Sequence, residues 1–453
     1  MIYGQLRQFA QEDPGGIFLQ DYQAACSSAE ALARCEQMAR AVRELGSTRI
    51  YLYGAESVDL ALTIFAADAA GVELCILNRT MNANDVEALV RRLGRGVLLT
   101  DVPLGIDGIL ELSLCELANA PASPMDSGQA KPTSAIIILT TGTTGLPKAV
   151  RHGWESLLSG LSRQKSEPSR WLLAYPLNHF AGIQVLLHVL SNRGTLIIPQ
   201  SRDFDGIIRT LIDHEVDSVS GTPTFWRMIA GRLTTSQIDR LALRRITLGG
   251  EPSTADLLEN LKSKFPTASI TQVYATTELG TCFSVKDALP GFPVSYLRRQ
   301  VGNVRLRIVD GELYVASSAK MQGYMGDSAV VESMGDWLAT GDLVEQSDDR
   351  VYFRGRRSEV INVGGVKVHP AKVEEAVLRI PGVSAARAYG RPNPISGQIV
   401  ACDIELEQDA GEEAVRRAFQ ATCATELNRY ERPRQLNFVP RLERANEKLM
   451  RKA

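Results

Sequence analysis

Between Ala29 and Thr100 the spacing of apolar residues switches repeatedly between the helical and the strand period, and this alternation constrains the fold more than any other feature. Helical spacing over 29–45 stops at Gly46, and a strand is predicted over 49–54. The same reading predicts a helix over 57–70, a strand over 73–77, a helix over 84–93 before Gly94, and a strand over 97–100. Strands separated by helices pair in parallel, because the crossover helix returns the chain to the end of the sheet where it started. A Pro-, Ser- and Ala-rich loop over 119–133 then precedes a strand over 134–139.

The rhythm changes after about residue 295. Segments such as LRIVDGELYVAS and DRVYFRGRRSEVINVGGVKVHP alternate apolar and polar residues around Asp-Gly and Gly-Gly turns, the pattern of short antiparallel strands. Helical spacing returns at 371–380, a strand follows near 399–404, and a helix is predicted over 412–425. The fold class is therefore α/β, with a large N-terminal body of mainly parallel sheets and flanking helices, a small β-structured subdomain, and a small α+β C-terminal domain. At roughly 100–200 residues per domain, 453 residues imply about two to four domains.

With 50 Lys+Arg against 52 Asp+Glu, the net charge of -2 argues against a nucleic-acid partner. Seven widely spaced cysteines without a C-x-x-C pair suggest neither a disulfide framework nor a zinc site. The first residues lack the basic-then-apolar pattern of a secretory signal, and apolar runs such as 135–139 fall far short of the ~20 residues of a membrane span. A cytoplasmic protein with no membrane span is expected.

The segment IIILTTGTTGLPKAV at 136–150 carries the most chemistry. A buried strand runs into a loop of two glycines (Gly142, Gly145), four hydroxyls (Thr140, Thr141, Thr143, Thr144) and Lys148, the composition of a phosphate cradle. Glycines admit close approach of backbone N–H groups, the threonines donate O–H, and the lysine supplies positive charge. It is not a P-loop, because Pro147 stands where Gly is needed and Ala149 where Ser or Thr is needed.

Five ordered segments resemble the motifs of the adenylate-forming superfamily, which contains acyl- and aryl-CoA synthetases, peptide-synthetase adenylation domains and luciferases. They are the loop just described, YATTE at 274–278, TGD at 340–342, GRRSEVINVGGVKVHPAKVEE at 355–375 and NEKLMR at 446–451. The resemblance covers essentially the whole chain and implies a two-step reaction. A carboxylate attacks the α-phosphate of ATP and releases pyrophosphate; a thiol then displaces AMP. By resemblance the loop and Lys148 hold the β- and γ-phosphates, Glu278 coordinates Mg²⁺, and Thr277 contacts the α-phosphate. Asp342 accepts from the ribose hydroxyls, Tyr274 packs against adenine beside the Gly249, Gly250, Glu251, Pro252 segment, and Arg356 reaches ribose or phosphate. Lys448, near the end of the chain where a lysine is ordinarily solvated, is implied to offset charge at the α-phosphate in one orientation of a mobile C-terminal domain. The resemblance further implies a body of residues 1–357 and a cap of 358–453 turning about Ser358, with Gly364 and Gly365 lining the thiol's route.

Several positions depart from the family pattern: Ala149 and Ala275 replace glycines, Ser358 stands where Asp or Lys is usual, and Glu447 stands where Gly precedes the terminal lysine. The region before the phosphate loop is also short. AYPLNHFAG at 174–182 resembles a P-x-x-H-x-x-G stretch of acyl- and aryl-CoA ligases and lacks the Asp-containing motif of amino-acid-activating domains. His179 is thereby implied at the acid pocket, with Phe180, Gly182, Thr222, Gly249, Ala275, Thr276 and Cys282 as further lining. These small residues suggest a slot for an aromatic or short cyclic acid. The compact length and the PTFWRM segment at 223–228 resemble those of o-succinylbenzoate–CoA ligases. The thiol belongs to coenzyme A, for which Arg354, Arg356, Arg357 and Lys367 are candidate contacts, or alternatively to the phosphopantetheine arm of an acyl carrier protein. A third reading is a relative that binds nucleotide or acid without catalysis.

Overall fold

The computed structural model describes residues 1–119, 134–140, 147–161, 168–326, 333–407 and 410–442, and the backbone of 444–445 and 448–449. Two sheets build the N-terminal body. The first has seven strands in the order Gly323–Met325, Lys148–Gly153, Ala135–Thr140, Glu73–Ile76, Arg49–Tyr53, Val97–Thr100, Leu110–Ser113. From Ala135–Thr140 onward these pair in parallel, while Lys148–Gly153 and Gly323–Met325 join antiparallel. The second has eight strands in the order Gly280–Val285, Ser269–Thr276, Arg245–Gly249, Ser218–Gly221, Arg170–Leu172, Thr195–Ile197, Ile17–Gln20, Ala25–Ser27, antiparallel only at its two edges.

Local chemistry fixes the helices of this body. Ser28–Glu44 begins with a capping box in which Ser27 and Glu30 satisfy each other's backbone N–H groups. Val58–Ala70 starts on the Ser57 hydroxyl and stops at Gly71, whose φ of 75° suits a residue without Cβ. Eleven of its 13 residues are buried. The reason is a shared core: Leu60, Ile64 and Phe65 belong to one cluster with Ile50, Leu74 and Ile136 of the first sheet and Leu19 and Leu196 of the second. Each element predicted over residues 29–100 lies within one residue of its expected bounds. The periodicity does not announce the helix Ile2–Glu12 or the short hairpin Ile17–Gln20 with Ala25–Ser27, which adds peripheral strands to a region that looked compressed.

A six-stranded antiparallel sheet follows, built on Val304–Val309, Glu312–Ser317, Trp337–Ser347 and Arg350–Arg356. A short 3-10 turn, Arg357–Glu359, leads into the C-terminal strands Ile361–Val363, Val366–Val368, Val383–Asn393, Gly397–Leu406 and Gln435–Phe438. The helices Pro370–Leu378 and Glu412–Glu426 close over them around a separate core that includes Val373, Val377, Ile404 and Phe419. Arg379 of this unit reaches Asp256 of the body at 3.4 Å. Among the described residues no helix is long and apolar enough to cross a membrane.

One buried carboxylate ties the first helix to the body. Asp68, 1% exposed, accepts from Tyr3 N–H at 2.9 Å and from Ser134 Oγ at 2.7 Å, so its negative charge faces the positive end of Ile2–Glu12. Asp68→Ala strands both donors and is expected to lower unfolding free energy by about 2 kcal/mol. A urea titration in which the midpoint does not move contradicts this.

Candidate active site

The carboxyl ends of parallel strands are where an α/β sheet leaves a crevice, because the connecting loops diverge there. In the eight-stranded sheet, Gly249 ends Arg245–Gly249, Thr222 follows Ser218–Gly221, and Ala275 and Thr276 end Ser269–Thr276. His179 is the N-cap residue of Phe180–Ser191, in the connection after Arg170–Leu172. The structure thus brings these expected pocket residues to one edge. Tyr175 closes it further, donating its hydroxyl to the Gly249 carbonyl at 3.0 Å. Gly182 works through space: a Cβ there would fall 2.1 Å from the Pro176 carbonyl oxygen, so only glycine lets the helix start so close to this turn. The Thr222 hydroxyl is taken up in capping Pro223–Arg232 through Phe225 N–H, and Cys282 is buried with its thiol directed at the Gly280 carbonyl. Glu251 accepts from Thr224 N–H and Oγ, at 3.2 and 2.7 Å, and so anchors the 249–252 loop to the helix behind it.

The phosphate-loop segment approaches from the first sheet. Thr140 and Lys148 are the last residue pair of the antiparallel ladder between Ala135–Thr140 and Lys148–Gly153. Thr141, Gly142, Thr143, Thr144 and Gly145 lie outside the described residues. Alternation along a strand places Lys148, Val150 and His152 on one face, and Tyr324, paired with Val150, projects from that same face. The Lys148 ammonium lies 5.4 Å from the centre of the Tyr324 ring. The Tyr324 hydroxyl donates to Glu278 Oε1 at 3.0 Å, and the Glu278 carbonyl accepts from Met321 N–H at 2.8 Å. His152, fully buried, reaches the Thr277 carbonyl through Nε2 at 2.5 Å. A carbonyl only accepts, so Nε2 carries the proton. Burial pushes the imidazole pKa down, which keeps the ring neutral, and Nδ1 has no partner among the described residues.

A second cluster surrounds Asp342. Its Oδ2 accepts from the Tyr274 hydroxyl at 2.6 Å, and its Oδ1 pairs with Arg356 Nε at 3.0 Å, the residue opposite it in the hairpin. The Asp342 carboxylate raises the Arg356 pKa, with smaller contributions from Tyr274 and Glu278, so the guanidinium senses both carboxylates. Burial and the Asp342 charge push the Tyr274 hydroxyl well up. Its ring stacks on Phe283 and Phe353, with centroids 5.2 and 5.0 Å away. The side chain expected against adenine is therefore also a core aromatic. Glu312, 1% exposed, holds the turn before Asp342 through Gly341 N–H at 2.7 Å and pairs with Arg357.

Gly364 and Gly365, with φ of 60° and 88°, form the tight turn between Ile361–Val363 and Val366–Val368, tied by Gly364 N–H to the Ser396 carbonyl and by Gly365 N–H to Asn362 Oδ1. The backbone at Lys448 forms a two-residue ladder with Ala445; its side chain is outside the described residues. The four basic residues expected near coenzyme A differ in their surroundings. Arg354 pairs with Glu345 and Arg356 with Asp342 across one hairpin, and Arg357 pairs with Glu312 of a neighbouring strand; Lys367 alone of the four has no partner among the described residues. Sequence reading missed His152, Tyr324 and Glu312. The period-two spacing of Lys148 and His152 was the one available signal.

The AMP-binding enzyme model matches residues 6–325 and the AMP-binding enzyme C-terminal domain model matches 372–448. The chain is 27% identical to a 2-succinylbenzoate–CoA ligase of Bacillus licheniformis, over 87% of this chain and 86% of that protein. It is 26% identical to a feruloyl-CoA synthase of an Amycolatopsis species, over 92% of this chain and 91% of that protein. Among solved structures, o-succinylbenzoate CoA synthetase from Bacillus subtilis, in complex with its acyl-adenylate intermediate, superposes with a TM-score of 0.80 at 23% identity, covering 99% and 96% of the two chains.

Because the unfolded His152 imidazole binds protons more readily than the buried one, its contribution to stability is present above the ordinary value of 6.5 and is lost as pH falls below it. Nitrogen-15 NMR of the imidazole is expected to show the neutral Nε2–H tautomer above pH 7 and a protonation midpoint below the ordinary 6.5. Protonation with a midpoint above 6.5, or an Nδ1–H tautomer, contradicts the assignment.

Proposed function

The chain belongs to the AMP-binding enzyme family, and from that premise we propose that it activates an aromatic carboxylic acid with ATP and passes the acyl group to coenzyme A. The observation that carries this reading is a pair of side-chain clusters bridged by the segment 274–278: Lys148, Tyr324 and Glu278 in one, Tyr274, Asp342 and Arg356 in the other, with the Glu278 charge felt at Arg356. In the first step a carboxylate oxygen bonds to the α-phosphorus as the bond to pyrophosphate breaks. In the second the thiolate sulfur bonds to the acyl carbon and AMP leaves. The first brings an anion to a polyanion, so its barrier is mainly charge repulsion and misalignment.

Residue roles follow that requirement. Lys148 and the threonines of the loop take the outer phosphates. Thr277 faces the α-phosphate, Asp342 takes the ribose hydroxyls, and Arg356, already beside Asp342, moves to phosphate or ribose as the nucleotide enters. Glu278 suits Mg²⁺: it offers a hard anionic oxygen, and its Oε2 accepts no hydrogen bond from a described residue while Oε1 is held by Tyr324. When bound there, Mg²⁺ supplies charge neutralisation at the phosphate oxygens. Lys448, carried on a cap of residues 358–453 that turns against the body of 1–357, adds positive charge during the first step, and Gly364 and Gly365 flank the thiol in the second.

An aromatic acid is favoured because 2-succinylbenzoate and feruloyl groups, named for the similar enzymes, share an aromatic ring, and because Gly249, Ala275 and Cys282 keep the pocket walls low. The similar full-length proteins are named for coenzyme A, and nothing favours a carrier protein. Lys148, Glu278, Asp342 and Arg356 are all present, which disfavours a noncatalytic relative. A cytoplasmic setting is supported by seven free cysteines, six of them buried.

Acid-dependent ATP–pyrophosphate exchange over a panel of aromatic and aliphatic acids tests the reading. Exchange with aromatic acids and saturable transfer to free coenzyme A are expected; exchange confined to aliphatic acids, or transfer only to a carrier protein, contradicts it. Lys448→Ala is expected to slow acyl-adenylate formation about 100-fold while leaving thiol attack on supplied acyl-adenylate nearly intact. Equal losses in both half-reactions contradict the assigned role.

A further inference from the structure

Among the described residues, Tyr324 is a side chain that touches both Glu278 and Lys148, the two groups of opposite charge between which a metal-bound triphosphate must fit. Strand pairing puts it there. Gly323–Met325 lies antiparallel to Lys148–Gly153 with Tyr324 opposite Val150, so its ring and the Lys148 stem are diagonal neighbours on one face of the sheet. The same strand is anchored twice more, by Gln322 N–H on the Arg151 carbonyl at 2.8 Å and by the ion-paired Arg151, which also contacts Gln322. The hydroxyl is thus delivered by a backbone ladder rather than by a loop, and its 3.0 Å contact to Glu278 Oε1 is built into the fold.

Two properties suit this hydroxyl to hold a carboxylate. It is half-buried, and its O–H donates to Glu278 Oε1 from a strand whose position is fixed by main-chain pairing. It also takes one oxygen only, and Oε2 accepts nothing from the described residues. A carboxylate held by one oxygen is fixed in rotation and leaves the second available to a hard cation, the arrangement by which outer partners orient metal ligands.

We propose that Tyr324 is a positioning residue for the metal site: its hydroxyl orients Glu278 toward Mg²⁺ while its ring seats the Lys148 ammonium on the phosphate side. This deepens the proposed function and rests on its assignment of Glu278 to the metal. Tyr324 itself touches no reacting atom. Its loss therefore weakens metal binding in the first step and spares the second, in which no polyphosphate is bound.

The test uses Tyr324→Phe in the full chain, with Mn²⁺ as the probe, counted by electron paramagnetic resonance in the presence of a non-hydrolysable ATP analogue. Removing only the hydroxyl is expected to weaken Mn²⁺ binding about tenfold. In kinetics the metal concentration for half-maximal adenylate formation is expected to rise by a similar factor, with kcat recovered at saturating metal and the thiol step unchanged. Glu278→Gln serves as the reference. If Glu278→Gln abolishes Mn²⁺ binding while Tyr324→Phe binds as wild type, the Tyr324 proposal is overturned and the Glu278 assignment stands. If Glu278→Gln itself binds Mn²⁺ normally, the assignment of the metal to Glu278 falls. Equal loss in both half-reactions at saturating metal, or an unfolding midpoint lowered enough to account for the weaker binding, also overturns the proposal.

Discussion

The antiparallel strand Lys148–Gly153, held between Ala135–Thr140 and Gly323–Met325, is the constraint on which the candidate site depends. It reverses the chain after the glycine and threonine loop, so that Lys148 returns beside Thr140. It presents His152 to the Thr277 carbonyl and receives Tyr324 from a segment more than 150 residues away in sequence, which in turn holds Glu278. All these placements derive from main-chain ladders, whose register is strongly specified because one slip would turn Lys148, Val150 and His152 to the other face.

Charge explains why so much backbone is committed to so few side chains. A triphosphate and a carboxylate repel each other, and groups that offset this must already be in place, since reorienting them during reaction would return the benefit to solvent. The two clusters satisfy this in different ways. Asp342 is restrained by Tyr274 and Arg356, whereas Glu278 is restrained at one oxygen only. The first arrangement suits a carboxylate that meets hydroxyl groups, the second one that meets a cation.

Much of this was legible in the sequence because the signals are local. Helix caps such as Ser27 with Glu30 and the Gly71 stop lie within a few residues of what they control, and the parallel strands announce themselves by apolar runs between helices. The hairpin Ile17–Gln20 with Ala25–Ser27 was not legible, because its strands are short and its first strand gains its place by pairing with Thr195–Ile197. Residue types at motif positions were visible, but their partners were not. Arg354, Arg356 and Tyr274 were visible as residue types, but not the Glu345 and Asp342 that the hairpin register sets beside the arginines, nor the Phe283 and Phe353 rings packed on the tyrosine. Tyr324 carried no signal at all, since its contacts are tertiary throughout.

The most direct test of the account is a crystal structure of the protein with ATP and Mn²⁺ in which anomalous scattering locates the metal. A single manganese peak is expected at the Glu278 carboxylate, with the outer phosphates toward Lys148 and the ribose hydroxyls on Asp342. A metal ligated elsewhere, or a nucleotide bound away from the carboxyl ends of the eight-stranded sheet, would contradict it.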